Sequence, residues 1–134
     1  MPADFGKLLS KIETENKALQ FAEARLGKAF EKLDGQLTRF KARVRIEPYD
    51  VDKKSGMKIG YRQFDNRWAI TTLISGVAGL EAEVPVAETS PDRQAALIPH
   101  VAGLLEKIAA AIADSNKTAK RAADEAERVL DALP

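Results

Sequence analysis

The stretch IPHVAGLLEKIAAAIADSNKTAKRAADEAERVLDAL, Ile98 to Leu133, decides the fold. Counting sevens from Ile98 gives Leu105, Ile112, Ala119, Ala126 and Leu133; counting from Val101 gives Ile108, Ser115, Ala122 and Val129. Two interleaved rows at heptad spacing form an apolar seam along one side of a long helix, interrupted only by Ser115. Such a seam predicts packing on another helix.

The N-terminal third supplies a matching one. Phe5, Ile12, Leu19, Leu26, Leu33 and Phe40 recur every seven residues, and Leu9, Asn16, Glu23, Phe30 and Leu37 form the second row. Asp4 is the expected N-cap of this first helix. Asn16 and Glu23 fall at seam positions, where a polar side chain either fixes register or reaches sideways to water. Gly27 and Gly35 each weaken the helix by about 0.5–1 kcal/mol relative to alanine, so a bend or an early end is expected there.

Between the helices the period changes from seven to two. Val44 and Ile46 alternate with Arg43, Arg45 and Glu47 until Pro48 marks an edge. Met57, Ile59 and Tyr61 alternate with Lys58, Gly60 and Arg62; Trp68, Ile70, Thr72 and Ile74 alternate with Arg67, Ala69, Thr71 and Leu73. A last run, Leu80 to Val86, alternates with Glu81, Glu83 and Pro85. The turns are Asp52–Gly56, the hairpin pair Asp65-Asn66, and Gly76–Gly79. Four short strands in sequence predict an antiparallel meander with one apolar face, anchored by Trp68. Ser90, Pro91 and Asp92 then form a start signal for the final helix, and Pro99 predicts a kink or a restart.

The expected fold is therefore α+β. Long N- and C-terminal helices pair as an antiparallel coiled coil, with a four-stranded antiparallel β-meander between them. Residues 1–134 form a single domain: helix over 4–41, meander over 42–88, helix over 90–133. Antiparallel pairing sets Ala119, Ala122 and Ala126 of the last helix against the first half of the first, where Ile12 and Leu19 are large, and brings Glu23 near Ser115. Leu8, Phe21, Leu104 and Leu130 widen the apolar stripes beyond the seam, which predicts a homodimer with the two helical hairpins joined in a four-helix bundle.

Composition narrows function. With 134 residues, 45% of them hydrophobic, the chain is large enough to bury its own core. A net charge of +1 gives no global field to recruit nucleic acid or an anionic surface. The absence of cysteine excludes disulfides, thiol catalysis and thiolate metal sites. No leader is visible from Met1 onward, so a cytoplasmic protein is expected, and no membrane partner. His100 is the only histidine and has no cluster of ligand spacing around it; no nucleophile motif, Walker loop or carboxylate pair stands out. A non-catalytic protein without cofactor or metal is expected.

The remaining local signal is basic. Arg43, Arg45, Lys58, Arg62 and Arg67 alternate against the apolar residues and so share the outward face of the sheet, with Tyr49 and Phe64 expected beside them. Such a face suits an acidic protein partner. The alternative is a nucleic acid, with phosphates held by the cations and bases stacked on the aromatics. A solvated face partly neutralised by Glu81 and Glu83 is the bland counterpart.

Overall fold

A computed structural model of the chain describes residues 4–134. Met1–Ala3, on which the expectation of no leader partly rests, lie outside them. The chain is α+β with a four-stranded antiparallel sheet, its strands in sequential order. In chain order the elements are α1 (Phe5–Arg39), β1 (Ile46–Asp52), β2 (Met57–Phe64), β3 (Arg67–Ser75), β4 (Glu81–Pro85), α2 (Pro91–Leu97) and α3 (Val101–Asp131).

Local chemistry explains the ends of these elements. The Asp4 carboxylate accepts the Lys7 N–H at 3.1 Å and caps α1. At the other end Lys41 adopts φ 58°, the Lys41 N–H reaches the Thr38 carbonyl, and the Ala42 N–H reaches the Leu37 carbonyl. That pair of bonds is the Schellman closure, made with lysine where glycine is usual. Lys41→Gly should raise stability by roughly 0.5–1 kcal/mol by removing the Cβ strain, measured by chemical denaturation. The helix continues past Gly27 and Gly35 to Arg39, so neither ends it. Ser90 caps α2 by accepting the Arg93 N–H, and a single 3-10 turn, Ile98–His100, separates α2 from α3 at Pro99. The Asp65-Asn66 turn closes β2 onto β3 with Asp65 at φ 52°, and Phe64 pairs with Arg67 across it.

One face of the sheet carries the core. Ile59 and Tyr61 of β2, Ile70 of β3 and Val86 pack under Phe30 of α1, Leu97 of α2, and Val101, Leu104 and Ile108 of α3. The fully buried aromatic of the sheet is Tyr61, whose hydroxyl donates to the Ala42 carbonyl at 2.9 Å. Trp68, expected to anchor this core, is only partly buried. It stacks on Tyr61 at 5.3 Å near the hairpin end of the sheet.

α1 also closes an open strand edge. β4 pairs with β3 only from Thr71 onward, which leaves the backbone of Trp68 and Ile70 without a strand partner on that side. Side chains of α1 replace it. Thr38 accepts the Trp68 N–H and donates to the Trp68 carbonyl, and Asp34 accepts the Ile70 N–H at 2.9 Å. Four helical residues rise about 6 Å and two strand residues about 6.6 Å, so the i, i+4 pair on the helix matches alternate residues on the strand.

That match fixes direction. α1 runs antiparallel to β3. α3 lies along β1 at the opposite edge, also antiparallel: His100 sits near Asp52, Lys107 lies over the Tyr49 ring at 4.8 Å, and Asp114 reaches the region of Arg45 and Glu47. β1 and β3 point the same way because both are antiparallel to β2. The two long helices therefore run in roughly the same sense along opposite edges of the sheet. The antiparallel hairpin expected of them is not formed within the chain. The N-terminal half of α1 and the C-terminal half of α3 leave the sheet at opposite ends.

The segment Pro91–Asp131 is long and apolar enough to cross a membrane by length and composition alone. Leu97, Val101, Leu104 and Ile108 within it are core residues of the sheet layer.

Candidate functional site

Two surfaces stand out, and each begins in the sequence periodicities. The first is the pair of free helical halves. Within α1, Leu26, Phe30, Leu33 and Leu37 pack into the core, whereas Phe5, Leu9, Ile12 and Leu19 of the same seam are exposed, Phe5 at 68% and Leu9 at 65%. Within α3 the division falls near Ile112: Val101, Leu104 and Ile108 are buried, whereas Val129, Leu130 and Leu133 are exposed. Each helix thus has one apolar stripe, half of it satisfied by its own sheet. The free arms, 5–22 and 112–131, have similar lengths, about 27 and 30 Å. Phe21 is exposed off the seam, with Arg25 over its ring at 6.0 Å.

The second surface is the outward face of the sheet. Strand parity places Lys58, Gly60, Arg62 and Phe64 of β2 there, together with Ala69 and Thr71 of β3 and Glu83 of β4. Arg45 precedes β1 on the same side, Arg43 lies in the connection from α1, and Arg67 opens β3 at the hairpin. The five cations expected on this face do not act alike. Arg45 makes a bidentate pair with Glu47 at 2.7 and 3.0 Å, and its Nη2 also donates to Glu83 Oε1 at 3.0 Å. Arg62 lies 3.9 Å from the same Glu83 oxygen and 4.9 Å from the centre of the Phe64 ring. Thr71 donates to Glu83 Oε2 at 2.7 Å. Arg45, at the β1 end, therefore reaches β4 across two intervening strands.

The cluster explains several burials. Ala69 and Thr71 face outward yet are closed off from water, and the Glu83 side chain is only 9% exposed. The floor is kept clear by Gly60, where a Cβ would come within 2.9 Å of the Ile46 carbonyl oxygen. Hydrogen bonding to Arg45 holds the Glu47 carboxyl below its ordinary range and stabilises the charged guanidinium of Arg45 in turn. Arg43, Lys58 and Arg67 have no ion pair among the described residues, so they are the cations left to face a partner.

Tyr49 is not on this face. A bulge between Ile46 and Tyr49 adds one residue to β1 and reverses parity, so Tyr49 pairs with Ile59 on the core side, under Lys107. Simple alternation through Pro48 misplaces it. Glu83 is the residue that the sequence pattern undervalues. Its signal is an acid on the outward side of a strand whose neighbouring strand carries arginine, which fits a cross-strand partner as well as a solvated charge. A solvent-open groove between β1 and α3, lined by Tyr49, Val51, His100, Gly103 and Lys107, completes the surface features.

No family model, curated protein or solved structure matches this chain.

Proposed function

We propose that this chain is a non-catalytic interaction module that self-associates through its two helical arms and engages a macromolecular partner with the outward face of its sheet. The observation that carries the reading is the half-used seam: one apolar stripe on each long helix, buried where it crosses the sheet and exposed beyond it. Leaving Phe5, Leu9, Ile12 and Leu19 in water forfeits about 1.5–3 kcal/mol per side chain relative to burial, so pairing of the arms has a large driving force. The arms leave at opposite ends, so the antiparallel coiled coil is made between copies, with Ile12 opposite Ala126 and Leu19 opposite Ala119. A homodimer is the smallest assembly of this kind. Asn16 and Glu23 then act as register-setting polar positions.

Light scattering tests the first half. The wild-type chain should show at least twice the 14.6 kDa chain mass. Ile12→Glu with Leu19→Glu should return it to the single-chain mass without changing the sheet signal in circular dichroism. A wild-type protein that runs at single-chain mass at micromolar concentration overturns self-association.

The partner half places an acidic protein surface against Arg43, Arg45, Lys58, Arg62 and Arg67. Arg45 and Arg62 hold Glu83, so reversing their charge would disturb the sheet itself. Arg67 also acts on the buried Asp34, so Arg43→Glu and Lys58→Glu together are the informative variant. Binding to an acidic polypeptide such as polyglutamate should drop at least tenfold in it, with thermal stability kept. Equal binding by wild type and variant removes the proposal. Preference for duplex DNA, with a steep loss of affinity between low and moderate salt, would select nucleic acid as the partner instead.

A further inference from the structure

We propose that Asp34 is a proton-operated latch: with its carboxyl protonated, α1 docks on the open edge of β3, and release of that proton to solvent loosens the C-terminal half of α1 from the sheet. This concerns how the chain holds its own helix, and it stands whether or not the arms pair.

Asp34 lies on the buried side of α1, one turn before Thr38, and is 1% exposed. One carboxyl oxygen accepts the Ile70 N–H at 2.9 Å; the other, Oδ2, is buried without a partner among the described residues. An ionised carboxylate in that place has one hydrogen bond to offset the loss of water around two oxygens. A protonated one hides a neutral group and keeps the Ile70 bond. Burial pushes the Asp34 carboxyl from the ordinary 3.8 up to about 7, against the lowering effect of the Ile70 N–H.

The charges around it decide how far this goes. Arg67 of β3 favours the ionised form, and Glu31, on the same helix, opposes it. Tyr61 of β2, whose hydroxyl donates to the Ala42 carbonyl, is near enough to feel Asp34: its own ionisation is pushed to about 12 by burial first and by Asp34 second, so it stays neutral. Glu88, Asp92 and Arg93, on the turn and helix that also pack against α1, are not among the groups acting on it.

The sign follows from linkage. The docked state binds the proton more tightly than the undocked one, so docking is strongest below the ordinary carboxyl range. It weakens about tenfold per pH unit from there up to about 7, then levels off. Acidification therefore tightens the helix.

Amide hydrogen exchange of Ile70 reads the latch directly, because its N–H is the group that Asp34 holds. After correction for intrinsic exchange, protection should fall on the order of a hundredfold between pH 5 and pH 7 in the intact chain. In Asp34→Asn, whose Oδ1 keeps the acceptor but cannot titrate, protection should be flat over the same range. Identical profiles in the two proteins overturn the proposal. Should the variant fail to fold, the wild-type carboxyl carbon of Asp34 and the Ile70 amide shift should titrate together with a midpoint near 7. A carboxyl midpoint in the ordinary range near 3.8, or an Ile70 amide that does not follow it, overturns the proposal equally.

Discussion

Glu83→Ala should lower stability by about 3 kcal/mol, equivalent to a drop of about 10 °C in Tm, measured by chemical and thermal denaturation. Glu83 holds three groups at once: the Thr71 hydroxyl, the Arg45 guanidinium and, more loosely, Arg62. Removing it brings two guanidinium groups together over a closed-off floor with no anion between them. Exposed ion pairs are worth little, but a carboxylate that is 9% exposed is not one of those. The loss sits at the lower end of the range for buried pairs because the arginines are about 40% exposed and can turn to water. Glu83→Gln keeps an acceptor for Thr71 and should cost about half as much. A loss below about 1 kcal/mol for alanine would mean that the cluster is only surface charge.

Gly60→Ala is the second large effect, about 2–3 kcal/mol of destabilisation. A Cβ there would stand 2.9 Å from the Ile46 carbonyl oxygen, 3.0 Å from the Pro48 nitrogen and 3.0 Å from the Thr71 hydroxyl. Two of these atoms are backbone of the β1 bulge and cannot swing aside as a flexible side chain does. The glycine is needed for close approach, since its φ is not positive. The same change elsewhere provides an internal control. At Gly35 and Gly103 an added methyl group would meet nothing within 4 Å, so alanine at either should stabilise its helix by roughly 0.5–1 kcal/mol. Equal effects at all three sites, read from denaturant midpoints, would count against the crowded floor.

These two residues show where periodicity runs out. Glu83 and Gly60 are visible in the sequence as strand residues with outward parity, and the sheet order follows from the turns between apolar runs. Their partnership depends on a tertiary contact between the start of β1 and β4, and on a bulge between Ile46 and Tyr49 whose backbone lies against Gly60. Period-two counting has no place for an inserted residue. It therefore carries Tyr49 to the wrong face, while Arg62 and Phe64, on a regular strand, come out on the expected one.

Asp34 is legible only as a polar position next to Leu33 in a heptad; its function as the acceptor for a strand edge requires knowing that β4 stops at Pro85.

Side-chain spacing was enough to say which segments are helix and which belong to the meander, although the first strand runs Ile46–Asp52 through Pro48 instead of being interrupted there. Heptads and caps make Phe5–Arg39 and Val101–Asp131 helical, and alternation between turn residues makes four antiparallel strands, because the period selects which backbone geometry buries the apolar set. What each seam packs against emerged only on folding. The sheet offered the nearer apolar surface and took half of both stripes, and the shared sense of β1 and β3 sent the other halves out at opposite ends. A heptad records that a helix face is to be covered; it does not record by what.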